Sequence, residues 1–324
     1  MTTPRLAATL SIDLDDLWAY RRSFGMDEGD GASLLPTAVP RFITFMQRHG
    51  ISGSAFVVGR DAALPAVKPL LRALQAAGHE IGNHSFEHAG DIEAWPAERQ
   101  TADLRRAHDL IADATGGHAP QGFRAPSFRL SPTLLRSVAA VGYRYDSSSF
   151  PSSLAALARR WQQRRARALG QAVDLPSDAH GGASRGQPLS PYRWDLGAGP
   201  GAAPLIEVPV TTLPALRLPL HGTYLQHLAD TSPLAARSYA RLSMAACAAA
   251  GVAPHLLLHA TDFIGADDGL PTAFLPGMRR GHRDKLALLD VAVGALRARF
   301  DAMPLIRYVQ QLPASLPLRT PMPS

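Results

Sequence analysis

The sequence predicts an α/β protein: a mostly parallel sheet with helical crossovers, open or closed into a barrel. Three observations predict it. Short apolar runs alternate with segments of helical period. Those segments stop at glycines such as Gly50 and Gly78. Chemistry-bearing residues (Asp13, His84, Arg124, Asp146, His259) fall at or just past the expected strand ends, where such folds gather their function.

Taken in order, Leu6–Ile12 is an apolar run read as a buried strand ending at Asp13. Residues 17–36, polar and carrying Gly25, Gly29 and Gly31, read as a loop. Pro40 opens an amphipathic helix bearing Phe42, Ile43, Phe45 and Met46. Ser54–Val58 is a second strand, 65–78 a helix, and Glu80–Gly82 a third strand leading into Asn83-His84-Ser85-Phe86-Glu87-His88. Helices over 97–115 and 132–141 precede Gly122–Pro126 and Tyr143–Asp146. A strand at Leu205–Val210, a helix near 234–250, a strand at 255–259 and a helix at 282–299 complete the alternation.

Residues 152–203 interrupt this rhythm. They lack an apolar period of their own and read as an insertion on one domain spanning 1–311, followed by a loose Pro-rich tail at 312–324. Seven arginines stand in that insertion against three aspartates, so it holds most of the net +6 of the 324-residue chain. Only Lys68 and Lys285 are lysines. A basicity confined to one segment disfavours nucleic acid as partner and points to an anionic substrate or membrane surface near one edge.

The 46% hydrophobic composition excludes wholesale disorder, and a single cysteine, Cys247, excludes a disulfide framework or a CxxC site. Cys247 reads as a small buried hydrophobe. Neither a secretory leader nor a run of 18 apolar residues is read, so a cytoplasmic protein is expected, with peripheral contact at the inner membrane face.

His84 and His88, four apart, read as two imidazoles on one face of a helical turn, a spacing that suits a metal. Asp13-Leu14-Asp15-Asp16 sets three carboxylates within four residues after an apolar strand, electrostatically costly without a cation or an arginine. Two imidazoles with one carboxylate suit zinc, with cobalt and nickel as alternatives. Trp18 and Tyr20 offer flat faces for a sugar ring or for ordinary loop packing. His79 reads as a surface or strand-edge histidine, and 220–224 as a wall of the cleft.

The chain resembles the polysaccharide deacetylase family, the carbohydrate esterases that share the NodB homology domain. The likeness lies in Leu10-Ser11-Ile12-Asp13-Leu14-Asp15, Ser54–Gly59, Ala77–His88, Phe123-Arg124-Ala125-Pro126, Tyr143–Ser148 and Leu257-Leu258-His259, in family order. It implies a distorted (β/α) barrel of about seven parallel strands and a metal-dependent hydrolysis of an N-acyl or O-acyl group. It implies Asp15, His84 and His88 as metal ligands and Asp13 as general base, oriented by Arg124. His259 would be the general acid, held by Asp146. The family's commoner adjacent aspartates are replaced by Asp13-x-Asp15-Asp16. The base and ligand are therefore Asp13 and Asp15, the preferred register, or Asp15 and Asp16. Asp262 either contacts the acid histidine or caps the next turn.

The expected reaction is removal of an acetyl or formyl group from an amino sugar, free or lipid-linked. The rivals are a cyclic-amide hydrolase of nitrogen metabolism and a catalytically silent glycan-binding relative; the filled acid, base and ligand positions argue against the second.

Overall fold

A computed structural model describes residues 5–29, 31–154, 186–197 and 204–321. Ten strands form one sheet: β1 (Leu6–Leu14), β2 (Ser54–Val57), β3 (Glu80–Asn83), β4 (Gly122–Phe123), β5 (Tyr145–Asp146), β6 (Tyr192–Trp194), β7 (Ile206–Glu207), β8 (His255–His259), β9 (Phe300–Met303) and β10 (Leu318–Arg319). Eight of them run parallel, seven in the order β7-β5-β4-β3-β2-β1-β8 and β9 beside the start of β1. This meets the expected mostly parallel α/β architecture. β1 pairs with β2 on one side and with β8 and β9 on the other, and it is buried over its last seven residues, which is why it reads as a continuous apolar run rather than an alternating one.

Among the described residues the ladder does not close into a full barrel. Beyond β7, Thr211 reaches across to the start of β8. Its N–H donates to the His255 carbonyl (3.2 Å) and its hydroxyl accepts the His255 N–H (2.6 Å). β6 pairs antiparallel with β7, and β10 extends that edge.

Four expectations need correction. Residues 17–36 are not all loop: Leu17–Ser23 is a helix, nucleated by the Asp16 carboxylate, which accepts the Leu17 N–H at 2.7 Å. The next helix begins at Leu35, with Pro36 in its first turn, so Pro40 lies inside it. Pro40 is exposed, and the helix buries Phe42, Phe45 and Met46 on its other side. The tail is not loose throughout, because Arg193 N–H donates to the Pro317 carbonyl and Asp195 N–H to that of Arg319. His79 is buried rather than at the surface: its Nδ1 accepts the Gly53 N–H, and burial pushes its pKa down to about 4.

The arginines at 159–167 lie outside the described residues. No helix among the described residues is long and apolar enough to cross a membrane.

Candidate active site

Parallel register sets one row of residues along the C-terminal strand ends. Asp13 of β1 stands opposite Phe56 of β2 and His259 of β8. Asn83 pairs with Phe123, Phe123 with Asp146, and Asp146 with Glu207. His84 and Arg124 are the next residues after β3 and β4. A cavity of about 280 Å³ is lined by Asp13, Asp15, His84, His88 and His259, with His221 and Thr223 beside them. The 220–224 stretch thus supplies a wall, as its position after a strand end implied.

Asp15 Oδ1 lies 3.2 Å from His84 Nε2 and 3.1 Å from His88 Nε2. The two imidazoles do not share a helical turn. Ser85 and His88 both adopt left-handed backbone (φ 63° and 48°), and the loop brings the rings to a centroid separation of 5.0 Å. Such conformations persist only where the surroundings impose them. Here the Asp103 carboxylate, from the Ala97–Ala114 helix, accepts the N–H groups of Phe86 (2.9 Å) and Glu87 (3.0 Å). Asn83 Oδ1 accepts that of Ser85 (2.7 Å). His84 Nδ1 sits 2.8 Å from the Arg124 carbonyl. A carbonyl only accepts, so Nδ1 carries a proton and Nε2 is the atom left to face Asp15 or a cation.

The donor set fits a divalent cation. Asp15 Oδ1 and His88 Nε2 are buried and make no well-formed hydrogen bond among the described residues, an arrangement costly without a ligand. The three groups offer donor atoms within 4.8 Å of one another. Burial works to raise the Asp15 carboxyl, but the charges of His88 and His84 outweigh it and hold it well below the usual carboxylate range. Asp16 faces elsewhere: its oxygens take Leu17 N–H, Leu34 N–H (2.6 Å) and the Ser33 hydroxyl (2.5 Å). Geometry therefore favours the Asp13 and Asp15 register over Asp15 and Asp16.

Asp13 is held from behind by Arg124, which is fully buried. Its Nη1 donates to Asp13 Oδ1 (2.5 Å) and to Ser11 Oγ (2.9 Å), its Nη2 to Ser147 Oγ (2.9 Å) and its Nε to the Ser147 carbonyl (2.8 Å). His255 completes this cage, with Nε2 2.8 Å from Ser11 Oγ and 3.2 Å from Arg124 Nη2. Burial, then the Arg124 charge, pushes the His255 imidazole well below its usual range, which keeps it an uncharged acceptor. Sequence reasoning passed over His255, although four residues on one strand place it on the same face as His259.

His259 Nε2 lies 4.0 Å from Asp13 Oδ2. Asp146 does not hold His259, contrary to expectation. Asp146 is fully buried, accepts the Ser148 hydroxyl (2.5 Å) and hydrogen-bonds Glu207. Burial, then the charge of Asp146, raises Glu207 well above the usual range, so the pair shares a proton. The physical reason is the strand pairing: β7 pairs with β5 and puts Glu207 beside Asp146, which engages that carboxyl. The neighbour that His259 Nδ1 does meet is Thr223 Oγ1, at 2.9 Å.

Trp18 is not available for stacking on a sugar. Its Nε1 donates to Asp61 Oδ1 (2.7 Å), and the guanidinium groups of Arg60 and Arg22 lie over its ring at 4.3 and 4.8 Å. Tyr20 lines the cavity. Cys247 is buried, and burial pushes its thiol up to about 12, as for an inert packing residue.

Residues 23–145 match the polysaccharide deacetylase family. The match includes His84, His88 and Arg124; Asp13, Asp15 and His259 join them through the fold. The chain is 25% identical over 142 residues to a peptidoglycan deacetylase of Helicobacter pylori, covering 42% of this chain and 47% of that protein. It is 28% identical over 117 residues to a chitooligosaccharide deacetylase of Bradyrhizobium, covering 34% and 52% respectively. The chain thus spans about half or less of the length of the curated relatives it matches. In fold it is similar to a Mycobacterium smegmatis crystal structure described as a polysaccharide deacetylase, with TM-score 0.64 and 18% identity over 100% of this chain and 96% of that one. An allantoinase structure is similar at TM-score 0.56 and 15% identity, covering 95% of this chain and 90% of that one. Across residues 23–145 the chain thus resembles the polysaccharide deacetylase family.

Proposed function

We propose that this protein is a metal-dependent hydrolase that removes an N-acyl group, acetyl or formyl, from an amino sugar. The observation that carries the reading is the meeting, in one cavity, of the Asp15–His84–His88 donor set with Asp13 and His259. The named relatives, deacetylases of peptidoglycan and chitooligosaccharide, support the sugar amide as substrate class.

Asp15, His84 and His88 would hold the cation, for which zinc suits the donor types, with cobalt and nickel as alternatives. When bound, it supplies polarisation of the acyl carbonyl and a lowered pKa for water. Asp13 takes the proton of the attacking water, and its orientation comes from the Arg124 cage. His259, on the opposite side of Asp13, gives a proton to the departing amine as the C–N bond breaks. We further propose a lipid-linked amino sugar handled in the cytoplasm, a reading supported by the arginine-rich segment 159–167.

His84→Ala is expected to lose both metal and turnover, whereas His259→Ala keeps metal, measured by elemental analysis, and loses turnover by at least about 100-fold. Full activity in a thoroughly demetallated sample overturns the scheme. Acetate and formate release from N-acylated sugars, free and lipid-linked, identifies the substrate. Turnover of a purine-derived cyclic amide alone overturns the sugar reading.

A further inference from the structure

We propose that Thr223 and Asp262 form the positioning pair of His259, in a histidine–threonine–carboxylate relay that takes the place expected for Asp146. The inference rests on the hydrolase reading for the role of His259.

The hydrogen bonds fix the direction of the relay. His259 Nδ1 lies 2.9 Å from Thr223 Oγ1. The Asp262 side chain stands within reach of the Thr223 hydroxyl and accepts the His259 backbone N–H at 2.9 Å. A carboxylate only accepts, so the threonine hydroxyl spends its one proton on Asp262. Its oxygen must then accept from His259 Nδ1, which stays protonated. Nε2, which points to Asp13 at 4.0 Å, becomes the atom that gains and loses the catalytic proton.

The fold is built around this contact. Thr223 sits in the first turn of the Gly222–Thr231 helix, and Gly222 is the residue packed on Asp262. A Cβ at Gly222 would stand 2.2 Å from Asp262 Oδ2, so only glycine lets the carboxylate approach the helix this closely. Asp262 is buried, and the Lys285 ammonium behind it donates to the Thr261 carbonyl (2.7 Å). Other ionisable neighbours are Asp13, Tyr20 and His221, the last with its ring centroid 6.1 Å from that of His259. Burial pushes His221 down to about 3, so it brings no competing charge.

The test compares Thr223→Val and Thr223→Ser on two substrates. An N-acetyl amine needs a proton on its leaving group; 4-nitrophenyl acetate releases a stable phenolate and needs none. Thr223→Val should lower kcat on the amide on the order of 10- to 100-fold, with KM and metal content unchanged and the aryl ester turned over at the wild-type rate. Thr223→Ser should restore most of the loss. In parallel, the downfield Nδ1–H resonance of His259, assigned by NMR in the substrate-free enzyme, should vanish in Thr223→Val and persist in Thr223→Ser. Wild-type kcat in Thr223→Val, or equal loss on both substrates, overturns the relay. A wild-type protein inactive on every amide overturns the hydrolase reading instead, and the Nδ1–H resonance still decides whether the hydrogen bond exists.

Discussion

At the scale of single residues, the acidic cluster after β1 divides into separate tasks once its neighbours are known. Asp13 goes to Arg124, Asp15 to the two imidazoles, and Asp16 to a helix cap. A fourth carboxyl, Asp61, stands close enough for its charge to act on theirs, and it is buried with the Trp18 indole as its only side-chain donor among the described residues. Burial pushes Asp61 up to about 7. The native protein therefore keeps a proton that the unfolded chain releases near pH 4. Its stabilising contribution is complete below that pH and is lost as pH rises to about 7. Asp61→Asn retains the acceptor for Trp18 and removes this dependence. The stability difference between variant and wild type should shift in the variant's favour by about 1–4 kcal/mol from pH ~4 to pH ~8. Urea denaturation at the two pH values measures it, and a difference that stays constant refutes the assignment.

At the scale of elements, strands and helices deliver the site residues while the loops aim them. The 84–88 loop is the clearest case. Two histidines four apart suggest a helix by spacing alone, but the backbone turns left-handed at Ser85 and His88. Nothing local in the sequence announces this. The conformation is held by Asp103, remote in sequence, whose carboxylate takes two loop N–H groups. Asp103→Ala should therefore lower metal affinity about 10- to 100-fold while His84 and His88 remain in place, as loss of a supporting partner does at other metal sites. Isothermal titration with zinc reads it; unchanged affinity shows that the loop holds its shape without Asp103. The Leu17–Ser23 helix teaches a similar lesson, since Asp16, read only as part of a charged cluster, is its N-cap.

At the scale of the whole molecule, charge and topology separate. The described sheet carries an ordinary mixture of charges, and the basic excess belongs largely to 152–203. We propose that this segment meets an anionic membrane surface. The purified protein should then bind vesicles containing anionic lipid in a salt-sensitive way. A variant with the five arginines of 159–167 neutralised should bind at least about tenfold more weakly; equal sedimentation of the two with vesicles overturns the proposal.

The sequence by itself determined the parallel α/β architecture, because the buried strands and amphipathic helices leave local apolar periods. It also determined which residues stand at the strand ends, because the end of an apolar run marks locally where a buried strand stops. Asp13, His84, Arg124, Asp146 and His259 were legible in this way, and Asp15 and His88 through the acidic cluster, the four-residue spacing and the family resemblance. Only the tertiary structure decided which partners hold them. His255 caging Arg124, Asp103 shaping the histidine loop and Thr223 beside His259 are contacts between distant segments. So is the pairing of β5 with β7, which gives Asp146 to Glu207 and leaves His259 to a helix that packs on the other end of the sheet. A hydrogen-bond partner is chosen by proximity in space, and no short-range pattern in the chain encodes that proximity.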